Sequence, residues 1–164
     1  MTSGAELSSW MGRHCALGKS LDIVNHEIHT VTFAALTTGA VASKELFKVT
    51  GLIMAACVPF CTTDVTMTGA GATIALGNAT VTNQFIAASA GDAIDVGELW
   101  LGTTPAAYFV SSDTVPVWSL INGLDIGYTI GTDSLSGGVI QFHLFWYPIS
   151  ENAAVSVQAV NVAL

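Results

Sequence analysis

Charged residues are scarce in this chain, and basic residues are absent from most of it. Its 164 residues include only 4 Lys and Arg against 12 Asp and Glu, which gives a net charge of -8. Charged residues make up 10% of the chain, against a usual fraction of about 25%. No Lys or Arg follows Lys48. Because phosphate backbones attract basic surfaces, we expect no nucleic-acid partner for this acidic body.

Long apolar runs are also missing, although apolar residues account for 51% of the chain. Polar residues and glycine interrupt every candidate run before about 18 residues, so no transmembrane helix and no membrane partner are predicted. The first residues show no basic segment leading into an apolar stretch, so we expect no secretory signal. The simplest expectation is synthesis and assembly in a cytoplasm.

Paired cysteines are missing too, because Cys15, Cys57 and Cys61 form an odd set without a C-x-x-C motif. On one straight strand, Cys57 and Cys61 would lie about 13 Å apart, which is too far for a disulfide. Only a bend at Pro59 would bring them closer. We therefore predict reduced, buried thiols.

Motifs for phosphate or zinc binding are incomplete. The segment LGKS at 17–20 has Arg13 where a phosphate-binding loop requires glycine. His26, Glu27 and His29 resemble part of a zinc-protease motif, but a spacing of three places the two histidines on opposite faces of a strand. We interpret them as two solvent-facing histidines and predict no metal site and no cofactor.

A catalytic constellation is not evident either. There is no G-x-S-x-G elbow, and the densest group of acids is Asp92, Asp95 and Glu98. These carboxylates suit general acid/base chemistry or a calcium ion, but we interpret them as a solvated turn at a strand entry. We expect a protein that is not an enzyme, with no catalytic residues.

The chain does contain strong strand alternation. Its clearest stretch, Leu120 to Tyr147, predicts two strands that pair as an antiparallel hairpin with a shared apolar row. A second long strand is predicted over Glu45 to Phe60, and its polar face fades after Thr50. The part of this strand after Thr50 should be buried on both faces, either at the centre of a sandwich or under a neighbouring subunit. The inward row of the hairpin is Leu120, Leu124, Ile126, Tyr128, Ile130, Ile140, Phe142, Leu144 and Trp146.

Short strands separated by turns fill the rest, including a strand over Thr30 to Leu36 and a hairpin turning at Gly69 to Gly71. This pattern predicts an all-β fold: a single-domain antiparallel β-sandwich, jelly-roll-like, with an extended N-terminal arm. We assign 1–43 to the arm and first strand, 44–150 to the sandwich core, and 151–164 to a C-terminal edge strand or an arm lent to a neighbour.

The other row of the last long strand is too apolar for a wet surface. Val139, Phe145 and Tyr147 occupy it, and together with Trp10 of the arm they are our candidate interface residues. A chain with so little charge cannot cover itself with polar side chains, so self-association is expected. On this interpretation, Phe145→Asp disturbs assembly more than it disturbs the folded monomer.

Four segments resemble small virion structural proteins of tailed bacteriophages: ELFKVTG at 45–51, CTTDVTMTGAGATIALGNAT at 61–80, DAIDVGELWLGTTPA at 92–106, and INGLDIGYTI with GGVIQFHLFWYPIS within 121–150. The resemblance covers about 45–150. It implies a capsid decoration (cement) protein that binds the major capsid protein on the outer surface of the head. We expect a homo-oligomer, specifically a trimer, assembled in the host cytoplasm and located on the virion.

Two other functions fit the residues. A tail or fibre module would bind a host receptor or glycan through exposed aromatic residues such as Trp100, Tyr108, Trp118 and Tyr147. An enzyme would be a hydrolase that uses the acid group at 92–98. Copy number per particle separates a decoration protein from a fibre subunit.

Overall fold

The computed structural model describes residues 24–107, 115–159 and 164, and these residues are almost entirely β-structure. A single 3-10 turn, Gly91–Ala93, is the exception to strands and loops among them. No helix in these ranges is long and apolar enough to cross a membrane. The strands are β1 (Asn25–Thr32), β2 (Ser43–Thr50), β3 (Leu52–Met67), β4 (Thr73–Asn78), β5 (Ile86–Ala90), β6 (Glu98–Leu99), β7 (Ala106–Ala107), β8 (Ser119–Asn122), β9 (Ile126–Gly131), β10 (Leu135–Pro148) and β11 (Ala154–Val157).

The strands form two antiparallel sheets. Sheet A has the order β1-β10-β3-β6-β7, with β8 also pairing with β3, and sheet B has the order β11-β2-β9-β4-β5. The predicted all-β antiparallel sandwich is therefore confirmed. The jelly-roll-like topology and the domain limits stay predictions, and most of the predicted arm lies outside the described residues.

The core lies between the two sheets. Tyr128 of sheet B and Phe142 of sheet A stack across it with ring centroids 6.0 Å apart. Alternation explains why, since every second side chain of a strand points to the same face. The even-numbered residues predicted to face inward from Ile126 to Trp146 are all buried. Leu120 and Leu124 were also expected there, but they are exposed, because the strand breaks at Gly123 and Leu120 belongs to β8.

The predicted pairing of these strands is wrong. β9 lies in sheet B, between β2 and β4, whereas β10 lies in sheet A, between β1 and β3. The turn between them carries the chain from one sheet to the other, so the two apolar rows face each other across the core. The hairpin predicted at Gly69 to Gly71 is wrong for the same reason, because β3 is in sheet A and β4 is in sheet B.

The strand predicted over Glu45 to Phe60 is two strands in different sheets, separated at Gly51, whose φ is +69°. The odd-numbered side chains of both strands nevertheless face the same core. The first strand is Asn25–Thr32 instead of Thr30 to Leu36, since the chain turns after Ala34, where Gly39 N donates to the Ala34 carbonyl. The buried residues of β2 and β3 that face the core in this row are Phe47, Val49, Ile53, Ala55 and Cys57.

Regular structure is sparse between β5 and β8. β6 has only two residues, and β5 begins at Ile86 after an irregular stretch that follows β4. Long-range pairing is nested elsewhere: β1 pairs with β10, β2 with β9, β3 with β8, and β4 with β5. β11 adds to β2 at the end of sheet B, so the C-terminal segment is an edge strand, one of the two alternatives expected.

Candidate interaction surface

The side of sheet A that faces away from sheet B is an apolar surface, called here the outer face. The pairing register of the strands determines which residues belong to the outer face, because directly opposed residues of antiparallel strands share a face. On β10 from Val139 to Pro148, residues of even number are buried in the core and those of odd number are half-buried on the outer side. The rows across the sheet are His26–Phe145–Ala56, Ile28–His143–Val58, Thr30–Gln141–Phe60–Leu99 and Tyr147–Met54–Leu120, with Val139 next along β10.

Several large side chains of the outer face are open to solvent. Ile28 is 47% exposed and Leu120 is 64% exposed. Trp118, which is 46% exposed, packs against Tyr147 with ring centroids 5.6 Å apart. Scattered apolar residues are normal on a protein surface, but a contiguous apolar sheet face indicates a contact site.

Formal charge is absent from these rows, which contain no Asp, Glu, Lys or Arg. Asp64 lies beyond the rows, where its Oδ1 accepts a hydrogen bond from Val96 N at 2.6 Å. Glu27 alternates with the outer residues of β1 and pairs with Leu144, whose side chain is in the core. A partner therefore meets this face without desolvating a carboxylate or an ammonium group.

Two histidines meet on this face. Nε2 of His26 lies 3.1 Å from Nδ1 of His143, and the two ring planes are within 10° of parallel. The Phe145 ring stacks on His26 with centroids 4.6 Å apart. Burial lowers the pKa of His143 below its ordinary value, and the charge of His26 lowers it further. The hydrogen bond requires one N–H donor and one unprotonated acceptor nitrogen.

The predicted interface residues are brought together in part. Val139, Phe145 and Tyr147 all lie along β10 on the outer face and are half-buried. Trp10 lies outside the described residues. Sequence reasoning missed the contributions of Ile28, Leu120 and the even-numbered residues of β3. The loss of polar residues after Thr50 indicated that the second face of this strand is also covered. Which strands lie beside it could be identified only from the pairing register in the structure.

His29 corrects one expectation. It was interpreted as solvent-facing, but it is 5% exposed, and its Nδ1 lies 3.0 Å from the Leu46 carbonyl oxygen. That contact joins β1 of sheet A to β2 of sheet B. The predicted separation of His26 and His29 onto opposite faces is confirmed, and the buried one is part of the contact between the sheets.

The acid group at 92–98 closes a turn. Glu98 Oε2 accepts a hydrogen bond from Asp95 N at 3.1 Å, and Asp92 lies in the 3-10 turn Gly91–Ala93. Within 24–107 and 115–159, no three His, Cys, Asp or Glu side chains are grouped so that they could hold a metal ion. This geometry is that of a turn held by its own carboxylate.

The thiols of Cys57 and Cys61 are free and buried in the core, as predicted for these two; Cys15 lies outside the described residues. Burial is the main cause that raises the pKa of each thiol above its ordinary value. Both therefore stay protonated at neutral pH and serve as small apolar core residues.

The aromatic residues proposed for a receptor or glycan site do not form one surface. Trp100 is fully buried, and its Nε1 donates to Ser89 Oγ at 2.7 Å. Trp118 and Tyr147 remain as an accessible pair, while Tyr108 is outside the described residues. No family model, curated protein or solved structure matches this chain.

Proposed function

We propose that this protein is a structural virion protein that binds the outside of a phage head lattice as a homo-oligomer and stabilises the capsid. The observation that carries the proposal is the outer face of sheet A, which presents large apolar side chains without a formal charge. Such a face suits contact with other protein surfaces. The link to a phage head comes from the resemblance of 45–150 to phage virion proteins.

The physical basis of stabilisation is burial of apolar area, worth about 25 cal/mol for each Å² removed from water. A protein that binds only the assembled shell lowers the free energy of that shell relative to its dissociated subunits. No bond is made or broken, so the major capsid protein is stabilised by contact alone.

The nested strand pairing supports the proposal. β1 pairs with β10, β2 with β9, β3 with β8, and β4 with β5, a nesting that resembles the wrapping of a jelly roll, while β11 adds to β2 outside this nest. Jelly rolls occur in viral capsid proteins and also in lectin domains. Fold analogy therefore agrees with both candidate functions, and the surface chemistry has to separate them.

The test compares heads that carry the protein with heads stripped of it. We expect the stripped heads to disrupt at a lower temperature, and we expect re-addition of the purified protein to restore the higher temperature. Scanning calorimetry of the particles measures this. If stripping leaves the disruption temperature unchanged, the cement role is wrong.

The second candidate is a tail or fibre module that binds a host receptor or glycan. The exposed Trp118–Tyr147 pair favours it, since adjacent aromatic rings suit stacking against a sugar. Electron cryomicroscopy of particles separates the two functions. A decoration protein covers the head in many copies, whereas a fibre module is confined to the tail in few.

A further inference from the structure

We infer that the outer face of sheet A binds the same face of a second copy about a two-fold axis, in a contact that holds only while the His26–His143 pair is uncharged. The inference rests on the proposed function and deepens it, because it names the partner of the self-associating surface and the condition that releases it. Four observations support it: charge, area, symmetry and the histidine geometry.

Charge identifies the occupant. At a net charge of -8, copies of this chain repel each other over most of their surface. The rows of the outer face contain none of the formal charges. Any occupant must be equally free of charge, or it would bury an unpaired ion. A second outer face meets this requirement and is present at the same concentration as the first.

Area sets the strength of the contact. Three strands spaced about 4.8 Å apart, joined by a fourth in one row, over rows that span about 26 Å of strand, give a flat area of about 400 Å² per copy. Two copies together bury about 800 Å², which is the size of a weak, reversible contact. A contact of this size has little stability in reserve, so a single buried charge is enough to dissociate it.

Symmetry follows from the use of one face by both partners. A face that binds itself makes an isologous contact, in which each residue pair occurs twice, and it closes as a dimer. This differs from the trimer expected from sequence. The mass of the assembly therefore distinguishes the two arrangements.

The histidine pair joins the edge strand β1 to β10, about halfway along the rows of this face. When both rings are protonated, two N–H groups point at each other across the 3.1 Å separation, so the hydrogen bond is lost and two positive charges remain. No carboxylate on β1, β3 or β10 faces the pair to compensate them. The groups that do face it are Ile28 from β1, Gln141 and Phe145 from β10, and Ala56 and Val58 from β3.

The direction of the pH dependence follows from linkage. In the unassociated chain, burial and the charge of His26 already hold the pKa of His143 below its ordinary value. Association buries the His143 ring further, so the associated state holds fewer protons than the free state. Association is therefore strongest at neutral and higher pH and weakens as the pH falls below the ordinary histidine range, by about tenfold per pH unit for each proton excluded.

Sedimentation equilibrium of the full chain at about pH 8 and about pH 5 tests the inference. We expect a dimer at the higher pH and a folded monomer at the lower pH, with circular dichroism confirming that the fold persists. The double variant His26→Gln/His143→Gln has no ring to protonate, so it should remain a dimer at both values. A wild-type mass that does not change with pH overturns the histidine mechanism.

A matched pair of aspartate variants tests the surface. Leu120→Asp places a charge on the outer face, and Leu36→Asp places one at a residue that is 94% exposed in the turn after β1. We expect the first to be monomeric at about pH 8 and the second to remain dimeric. A dimer that survives Leu120→Asp overturns the face assignment.

The outcomes separate this inference from the proposed function. A trimer, or a monomer at the highest soluble concentration, overturns the inference and leaves capsid stabilisation to be decided by the calorimetry of heads. An intact pH-dependent dimer together with unchanged melting of stripped heads supports the inference and contradicts the proposed function.

Discussion

At the scale of the residue, Trp100 holds in place a segment that has little regular structure. Its side chain is fully buried, its Nε1 donates to Ser89 Oγ at 2.7 Å, and its backbone N donates to the Pro59 carbonyl at 3.0 Å. Ser89 Oγ lies 3.1 Å from the Gly102 carbonyl and donates to it. One aromatic residue thus attaches the segment after β5 to both sheets.

We predict that Trp100→Phe lowers the free energy of unfolding by about 1–3 kcal/mol, because a buried hydrogen bond is lost and a cavity is left. Urea denaturation measures the change. Trp118→Phe is the control, since Trp118 is half-exposed and should change stability by less than about 0.5 kcal/mol. Equal losses in the two variants would show that Trp100 has no special structural role.

The positions of His26 and His29 were predictable from the sequence only in part. A spacing of three on a strand correctly placed His26 and His29 on opposite faces. Which face was buried required knowledge of the second sheet, because His29 is covered by β2 and contacts the Leu46 carbonyl. The pairing of His26 with His143 was not predictable either, since 117 residues separate them in the chain.

At the scale of the element, the junction of β2 and β3 is the point where one long run of alternation changes sheet. Gly51 has a φ of +69°, and a Cβ there would lie 2.5 Å from Ser150 Oγ and 3.1 Å from Ala153 Cα. The Ser150 hydroxyl also accepts a hydrogen bond from Leu52 N at 2.9 Å. Only glycine allows both this conformation and this close approach.

We predict that Gly51→Ala lowers the free energy of unfolding by about 2–4 kcal/mol, from conformational strain together with displacement of Ser150 and Ala153. Gly123→Ala is the matched control. Its φ is +63°, but nothing lies within 4 Å of a Cβ there, so it should cost only about 1 kcal/mol. Thermal and urea unfolding compare the two, and equal losses would show that the close approach is unimportant.

Alternation predicted which side chains face the core but not which sheet holds each strand. Two strands with matching apolar rows satisfy the same pattern whether they pair side by side or pack face to face. Tyr128 and Phe142 were expected on the same side of a hairpin, but they stack across the core instead. The turns at Gly69–Gly71 and 132–134 look the same in sequence for either arrangement.

At the scale of the whole molecule, net charge and the uncharged outer face act in opposite directions on association. Copies at a net charge of -8 repel each other, while apolar burial draws the outer faces together. The rows of the outer face contain no opposite charges to form ion pairs across the contact.

We predict that sodium chloride strengthens self-association. Raising it from about 0.05 M to about 0.5 M shortens the screening length from about 14 Å to about 4 Å, so repulsion falls while apolar contact remains. Sedimentation equilibrium should show a dissociation constant several-fold lower at the higher salt. Weaker association in salt would mean that ion pairs hold the copies together, against the surface described above.

The candidate surface was predictable in outline. The sequence indicated that Val139, Phe145 and Tyr147 form a row too apolar for water, and the structure places that row on the outer side of a sheet. Its extension through Ile28, Val58 and Leu120 was not predictable, because it depends on the register of strands far apart in sequence.

The nested pairing of β1 with β10 has a consequence for the order of events during synthesis. Every row of the outer face includes a residue of β10, flanked by strands made much earlier. The outer face therefore cannot form until the ribosome has synthesised the chain through Pro148, the end of β10. Such long-range pairing also makes folding slow relative to local contacts. Nascent chains therefore lack the outer face while they are close together on a polysome. They acquire it only after the two sheets of the sandwich have formed.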